Sequence, residues 1–241
     1  MRIDKRNLLD LRPISIEVDR NSYAEGACLY TQGKTKILTT VTVEERIPSF
    51  IKEKNDGSGW LTAEYAMLPR STQSRINRER QKINARSSEI QRLIGRSLRA
   101  MVDLSKIGER TIIVDCDVLQ ADGGTRCAAI NSAAVAIAIT LAKLQQQEKI
   151  TEIPIISLIG AVSQVLKDDQ ILVDPDYQED SNCDMDLNLV INKNQEIIEL
   201  QATSEGKAAN LSTVNQMINI GCNVINKIFF EQEKIMSAYL P

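Results

Sequence analysis

The sequence predicts a fold of the α/β or α+β class with mixed sheets. Runs rich in β-branched residues recur along the chain, and three segments place apolar residues at helical spacing. These segments follow one another in the order strands, helix, strand, helix, strands, helix. The chain has 241 residues, of which 43% are hydrophobic and 25% charged, so a sizeable core can be buried.

Strands are predicted where β-branched runs lie between turn signals. In the first half of the chain they cover residues 11–18, 26–31, 35–43, 60–67 and 111–119. Residues 51–59 predict a polar loop. A helix over 88–103 is predicted to begin at a capping box formed by Ser88 and Gln91. Arg92, Arg96 and Arg99 lie away from its apolar face, where a solvated surface or a subunit contact is expected.

The second half of the chain predicts two further helices and four strands. The helices cover 127–144 and 210–233, and the strands cover 155–166, 171–173, 187–191 and 196–203. The apolar stretch 128–142 contains Asn131, Ser132 and Thr140, which makes it too short and too polar for a membrane span. It predicts a buried helix, and no apolar signal core follows the amino terminus. We therefore expect no membrane partner.

Composition excludes several kinds of chemistry. The chain contains no histidine, which removes histidine acid–base catalysis, Ser-His-Asp and Cys-His sites, and histidine-ligated metals. Its five cysteines are scattered without a Cys-x-x-Cys pair, so neither disulfides nor a zinc site is expected. This cysteine usage is typical of a protein in a reducing cytoplasm. The formal net charge is −3, so nucleic-acid contact requires a local basic patch.

A glycine turn separates the predicted strand 111–119 from the long apolar helix. Gly123 and Gly124 permit a sharp change of backbone direction, and Thr125 and Arg126 lie at the helix start. Free N–H groups and the positive helix end attract anions there, and the arginine fork suits phosphate oxygens. These residues therefore predict a phosphate site. The alternative without a binding function is a tight turn beside a surface arginine.

Residues 69–86 are crowded with cations and lack apolar periodicity. The arginines of this run are Arg70, Arg75, Arg78, Arg80 and Arg86. Such a run is typical of a solvated loop or helix face. The functional alternative is an arm that grips the backbone of a nucleic acid.

Residues 174–186 form an acidic counterpart to that run. Asp184 and Asp186 are two residues apart along a predicted strand, so their side chains share a face. Asp180 precedes them in the sequence. Three such carboxylates could hold Mg²⁺ or Mn²⁺, or one could protonate a leaving oxygen; the alternative is a solvated acidic turn. Combined with the phosphate-suited turn, they favour metal-assisted phosphoryl or nucleotidyl transfer on an RNA-like polyanion.

Three long segments resemble the ribonuclease PH family, bacterial phosphorolytic enzymes that process tRNA 3′ ends. These segments are 59–72, 89–100 and 108–126, and shorter matches cover 23–26, 35–38, 179–181 and 204–206. The resemblance runs from Arg12 into the last helix. It implies a single domain over 1–241 and a two-layer βαβ fold of the ribosomal protein S5 domain 2-like type. It also implies self-association as a homohexameric ring, a trimer of dimers.

The activity that the resemblance implies is phosphorolytic 3′-to-5′ exoribonuclease activity. Inorganic phosphate, as co-substrate, would trim 3′ extensions of tRNA precursors and release nucleoside 5′-diphosphates, and the reverse reaction would add nucleotides to RNA 3′ ends. A non-catalytic RNA-binding ring subunit of an exosome-like assembly is one alternative. A hydrolytic nuclease that uses two metal ions and water is another.

The resemblance also assigns roles to individual residues. The family's phosphate site corresponds to Arg86, Gly124, Thr125 and Arg126, and its catalytic and metal-associated aspartates correspond to Asp180 and Asp186. The arginines implicated in gripping tRNA correspond to Arg70, Arg75, Arg78 and Arg80. Asn84 and Ala85 stand where the family usually has a glycine pair, and the arm before Arg86 is shorter than usual.

Overall fold

A computed structural model of the chain describes residues 2, 4–79, 84–205 and 207–240. The strands in this part of the chain are β1 (Ile14–Val18), β2 (Gly26–Gln32), β3 (Thr35–Glu44), β4 (Trp60–Met67), β5 (Thr111–Gln120), β6 (Ile159–Lys167), β7 (Gln170–Val173), β8 (Met185–Asn192) and β9 (Ile197–Ser204). The helices are α1 (Ser49–Lys52), α2 (Ala85–Met101), α3 (Thr125–Gln146), α4 (Tyr177–Asp180) and α5 (Leu211–Met236), with a 3₁₀ turn at Leu104–Lys106.

The first sheet is mixed and has the strand order β1-β2-β3-β5-β4. Its pairs are antiparallel except for β4 and β5, which run parallel with Met67 opposite Val118. A parallel pair needs a crossover, and α2 supplies it. The segments that follow β4 and β5 therefore leave the sheet at the same edge, which brings residues 69–79 close to the glycine turn.

The second sheet is antiparallel and has the strand order β7-β6-β8-β9. Asp186, near the start of β8, lies opposite Val165 of β6, and Asn188 lies opposite Ser163. Helix α5 packs on β6 and β8 and also contacts β1 of the first sheet. This register places Asp186 at the end of the sheet where α4 enters.

Helix α3 lies between the two sheets and is buried along nearly its whole length. It contacts β2, β3 and β5 on one side and β6 and β8 on the other. By length and hydropathy it could cross a membrane, but 94% of its most apolar window is buried inside the protein, as in the core helix of a globular fold. Its polar groups are satisfied: Asn131 Nδ2 donates to the Ala161 carbonyl at 2.9 Å. The predicted buried helix is confirmed.

The start of α2 differs from the prediction. Asn84, not Ser88, is the N-cap, and its side chain accepts a hydrogen bond from the Ser87 amide at 2.7 Å. The predicted capping box of Ser88 and Gln91 is therefore wrong, because an asparagine earlier in the chain satisfies the free amides. As a result, Arg86 belongs to the first turn of the helix.

Two short helices were not predicted. Helix α1 extends into the predicted polar loop, and α4 lies within the acidic run, where Asp176 and Glu179 form a capping box. Four-residue helices are too short to show apolar periodicity, so composition alone predicted loops there. Asp180 is the last residue of α4, so this helix sets its position in the site.

The packing of α2 against β4 gives a stability prediction. Leu98 is fully buried on α2, whereas Leu211 at the start of α5 is 75% exposed. We expect Leu98→Ala to lower the free energy of unfolding by about 2–5 kcal/mol through lost burial and a cavity. The same substitution at Leu211 should change it by less than about 0.5 kcal/mol. Urea unfolding of the three proteins measures this, and equal losses would contradict the described burial.

Candidate active site

A cleft of about 1060 Å³ opens where the ends of β4 and β5 meet the start of β8. The structure brings all six predicted phosphate-binding and catalytic residues to its wall, namely Arg86, Gly124, Thr125, Arg126, Asp180 and Asp186. These residues come from three separate parts of the chain. Their convergence in one cleft places the basic and the acidic predictions at the same site.

The glycine turn forms one wall of the cleft. Both Gly123 (φ +77°) and Gly124 (φ +63°) have left-handed backbone conformations, and a Cβ at Gly123 would collide with the Pro175 carbonyl oxygen. Gly124 is also the N-cap residue of α3. Because the first N–H groups of a helix have no intrahelical partner, they are available to an anion at this wall.

Side chains around the turn are held in place by hydrogen bonds. The Tyr65 hydroxyl donates to Thr125 Oγ1 at 2.9 Å. Arg126 Nη1 donates to Gln201 Oε1 at 3.1 Å, and Gln201 in turn donates to Glu89 at 3.0 Å. Arg126 Nη2 lies 3.6 Å from the Glu89 carboxylate. The guanidinium is therefore oriented at the cleft wall before any ligand binds.

Two half-buried carboxylates face these cations. Asp180 ends α4, and Asp186 is the second residue of β8. Burial and then the Asp186 charge raise the pKa of Asp180, while Arg86, Arg126 and Arg12 oppose the rise. Burial likewise raises the pKa of Asp186, and Arg126 opposes it. The site therefore holds acids with increased proton affinity close to fixed positive charge, an arrangement typical of functional sites.

Asp184 does not join this pair. It precedes β8, and its carboxylate accepts a hydrogen bond from the Asp168 amide at 3.0 Å, in the turn between β6 and β7. The predicted convergence of three carboxylates is therefore corrected to two, because Asp184 is engaged with a neighbouring turn.

The arginine-rich arm lies beside the cleft. Its polar residues Thr72, Gln73 and Ser74 line the cleft. Of its predicted RNA-binding arginines, Arg70, Arg75 and Arg78 are exposed, and Arg80 lies outside the described residues. Arg70 donates to the Gln73 carbonyl at 3.1 Å. The arm thus presents exposed cations next to the cleft, while their role in RNA binding stays a prediction.

Sequence reasoning missed three arginines in the amino-terminal segment. Arg2 forms a two-pronged ion pair with Glu179 at 2.8 and 2.6 Å, and Arg6 Nη2 donates to the Asp174 carbonyl at 2.7 Å. Arg12 forms a buried ion pair with Asp174. The available signal was charge complementarity with the acidic run, but sequence alone did not indicate which charges pair.

A divalent metal ion at this site would depend on Asp180 and Asp186. Among the described residues, no group of three or more Asp, Glu, Cys or His side chains could hold a metal ion. Asp180 and Asp186 lie on the same cleft, and the charge of Asp186 raises the pKa of Asp180. Mg²⁺ commonly takes one or two carboxylates and completes its shell with water and substrate phosphates. These two residues fit such an ion.

Three of the five cysteines are buried, and two are partly exposed. Cys28, Cys116, Cys127, Cys183 and Cys222 all lie in the described part of the chain, and all five are free thiols there. Burial raises the pKa of Cys127 to about 12, so its thiol stays protonated near the cleft. Its sulfur lies 3.3 Å from Asn188 Oδ1. Cys127 therefore serves packing and hydrogen bonding.

A glycine turn at a helix start, two cleft arginines and two half-buried carboxylates define a site of the class that handles phosphate esters. The chain belongs to the 3′ exoribonuclease family. The model of domain 1 of that family matches residues 10–142, and the model of domain 2 matches residues 157–224. The expectation of one domain over 1–241 stays a prediction beside these two matches.

Two relatives support this membership, and two solved structures have the same fold. Two proteins named Ribonuclease PH, from two strains of Dehalococcoides mccartyi, are each 44% identical over 239 residues, which is 98% of each chain. Rice Rrp46 superposes with a TM-score of 0.79 at 19% identity over 98% of this chain and 100% of that one. An Archaeoglobus fulgidus exosome with RNA bound to the active site gives 0.81 at 22% identity, over 95% and 92% of the chains. These likenesses show the S5 domain 2-like fold, and the predicted fold class is confirmed.

The raised pKa of Asp186 gives a prediction about stability and pH. A carboxyl with a raised folded-state pKa favours folding fully below its unfolded value, here 3.8, and loses that contribution as pH rises through the folded value. Asp186→Asn, which mimics the protonated acid, should therefore be more stable than the wild type near neutral pH. Denaturant unfolding at several pH values should show this advantage disappear below 3.8. An advantage that does not change with pH would contradict the assignment.

Proposed function

We propose that this protein is a phosphorolytic 3′-to-5′ exoribonuclease that trims 3′ extensions of tRNA precursors. An oxygen of inorganic phosphate attacks the terminal phosphodiester phosphorus, the bond to the 3′ oxygen breaks, and a nucleoside 5′-diphosphate leaves. The reverse reaction adds nucleotides to RNA 3′ ends. The observation that carries the proposal is the cleft itself, where an anion-binding turn faces two carboxylates. Membership in the 3′ exoribonuclease family supports it.

The cationic wall explains why phosphate, and not water, is the nucleophile. A phosphate ion is repelled by the negatively charged RNA backbone, so its approach needs fixed positive charge. Arg86, Arg126 and the start of α3 supply that charge on one wall of the cleft. A hydrolytic nuclease activates neutral water and has no need of such a pocket. The geometry therefore favours phosphorolysis over hydrolysis.

The carboxylates serve the leaving group and the metal ion. Asp180 and Asp186 would hold Mg²⁺ or Mn²⁺, which when bound neutralises charge on the reacting phosphates. Because burial raises the pKa of Asp186, this residue is also suited to deliver a proton to the departing 3′ oxygen. These are alternative roles for Asp186.

The arginine arm supplies the contact with the body of the tRNA. Arg70, Arg75 and Arg78 are exposed on a segment whose neighbouring residues line the cleft. With Arg80, they grip the sugar-phosphate backbone near the acceptor end while the 3′ end enters the cleft. The chain has a net charge of −3, so this local cluster must supply the electrostatic attraction.

The protein assembles with copies of itself as a homohexameric ring. Two structural neighbours with the same fold are an archaeal exosome core, with a TM-score of 0.76 at 23% identity over 97% of this chain and 90% of that one, and the RNA-bound exosome. Exposed apolar side chains such as Tyr23 and Phe230, 96% and 65% exposed, offer surface for subunit contacts.

Sedimentation of the purified protein tests the assembly. At micromolar concentration we expect a single species with six times the chain mass of 26.9 kDa. A stable monomer under the same conditions would contradict the ring.

The phosphate site is tested by removing Arg126. On a tRNA with a short 3′ extension, Arg126→Ala should lower kcat/KM by about 10²–10³-fold, because a charge that stabilises the reacting phosphates is lost. Its affinity for the tRNA should stay near the wild-type value. Arg92→Ala removes an exposed arginine of α2 and is the matched control. Nucleoside diphosphate release and equilibrium tRNA binding measure the two effects.

Three outcomes separate the alternatives. Diphosphates formed by the wild type only when inorganic phosphate is present support the proposal. Monophosphates formed regardless of phosphate would identify a hydrolase, and tRNA binding without any product would identify a non-catalytic ring subunit. If Arg126→Ala weakens tRNA binding as much as catalysis, Arg126 serves RNA and not phosphate.

A further inference from the structure

Three buried residues that do not line the cleft lie against the glycine turn. They are Arg12 in the amino-terminal segment, Thr35 at the start of β3, and Asp174 just after β7. As whole residues they are 5%, 0% and 2% exposed, respectively. Of the described residues that line the cleft, none belongs to this set. Their contribution to the site must therefore act through the turn.

Thr35 bonds the backbone of two adjacent residues of the turn, Asp122 and Gly123. Its hydroxyl donates to the Gly123 carbonyl oxygen at 2.8 Å and accepts from the Asp122 amide at 3.0 Å. One hydroxyl therefore satisfies both a donor and an acceptor of the turn. Because Thr35 is fully buried, water does not compete for these bonds.

The Arg12–Asp174 ion pair lies directly beneath the turn. Arg12 donates to both carboxylate oxygens of Asp174, at 3.0 and 2.6 Å, and the Arg12 amide donates to the same carboxylate at 2.7 Å. The remaining donors of the guanidinium reach the carbonyl oxygens of Asp122 and Gly123. A Cβ on Gly124 would lie 3.5 Å from Arg12 Nη2. The pair therefore packs against the turn and holds two of its carbonyls.

Peptide planarity converts these buried contacts into an orientation at the cleft. In a trans peptide, the carbonyl of one residue and the amide of the next point in opposite directions. Thr35 and Arg12 hold the Gly123 carbonyl toward these buried residues, so the Gly124 amide points away from them. The Arg12 bond to the Asp122 carbonyl directs the Gly123 amide in the same way. Two backbone donors of the turn are thus oriented by residues that do not line the cleft.

We infer that Thr35 and the Arg12–Asp174 pair are positioning residues that set the phosphate-binding conformation of the Gly123–Gly124 turn. The inference rests on the proposed function, since it assumes that the turn binds the attacking phosphate. It adds that affinity for phosphate, and not for RNA, depends on these three residues. A left-handed glycine pair is flexible by itself, and the contacts of Thr35 and the Arg12–Asp174 pair select one of its conformations.

The test replaces the Thr35 hydroxyl with a methyl group of similar size. Thr35→Val removes both hydrogen bonds to the turn, and we expect the KM for inorganic phosphate to rise about tenfold, the effect of one or two lost hydrogen bonds. The KM for tRNA should stay within about twofold of the wild type. Thr35→Ser keeps the hydroxyl and should restore the KM for phosphate.

Thr39→Val is the matched control on the same strand. Thr39 is also fully buried, and its hydroxyl donates to Ser132 Oγ at 2.7 Å, away from the cleft. The Thr39→Val protein should be less stable than the wild type, and its KM for phosphate should be unchanged. A second readout is the rise of the melting temperature with added phosphate, which should be smaller in Thr35→Val than in Thr39→Val.

Each outcome bears on a separate statement. If the wild type forms no diphosphate with phosphate present, the proposed function fails. If the wild type is phosphorolytic but Thr35→Val and Thr39→Val have the same KM for phosphate, the positioning role is overturned. Should Thr35→Val fail to fold, Arg12→Lys replaces it, because lysine keeps the charge but lacks the planar fork. A KM increase shared equally by phosphate and tRNA in Arg12→Lys would then overturn the inference.

Discussion

The backbone conformation of Gly123 and Gly124 is the constraint on which the rest of the site depends. These two successive left-handed residues lie between the end of β5 and the start of α3, and a Cβ at Gly123 would collide with the Pro175 carbonyl oxygen. Because α3 is the buried helix between both sheets, its start is held in position by the whole core. The anion-binding wall thus gains its rigidity from the centre of the fold.

Opposed charges on the two walls of the cleft explain its chemistry. Burial raises the pKa of Asp180 and Asp186, and nearby arginines lower it. The positive charge of the arginines therefore partly offsets the cost of burying the two carboxylates. The amino-terminal arginines continue this arrangement outside the cleft, where Arg2 holds Glu179 on α4. Charge placement therefore connects the first residues of the chain to the position of Asp180. Removing the arginines would leave two half-buried carboxylates without the positive charge that offsets their burial.

The sequence predicted those features that depend on local pattern. Alternating β-branched residues and long apolar periodicity located the main strands and helices, and the glycine turn, with Arg126, was recognised from backbone chemistry. Asn84 was missed as a cap because a later Ser88 also fitted the capping rule. Asp184 was wrongly grouped with the site, since strand alternation does not show which neighbour engages a side chain. The Arg12–Asp174 pair joins residues far apart in the chain, and charge composition alone did not identify it.

Isotope transfer during tRNA trimming tests the central claim, that inorganic phosphate held at the glycine turn is the nucleophile. The protein would be incubated with a 3′-extended tRNA, Mg²⁺ and ¹⁸O-labelled phosphate in ordinary water, and in parallel with unlabelled phosphate in ¹⁸O water. Mass spectrometry of the products should find the phosphate label in the released nucleoside diphosphates and no oxygen from water. Nucleoside monophosphates that carry oxygen from water would contradict the account.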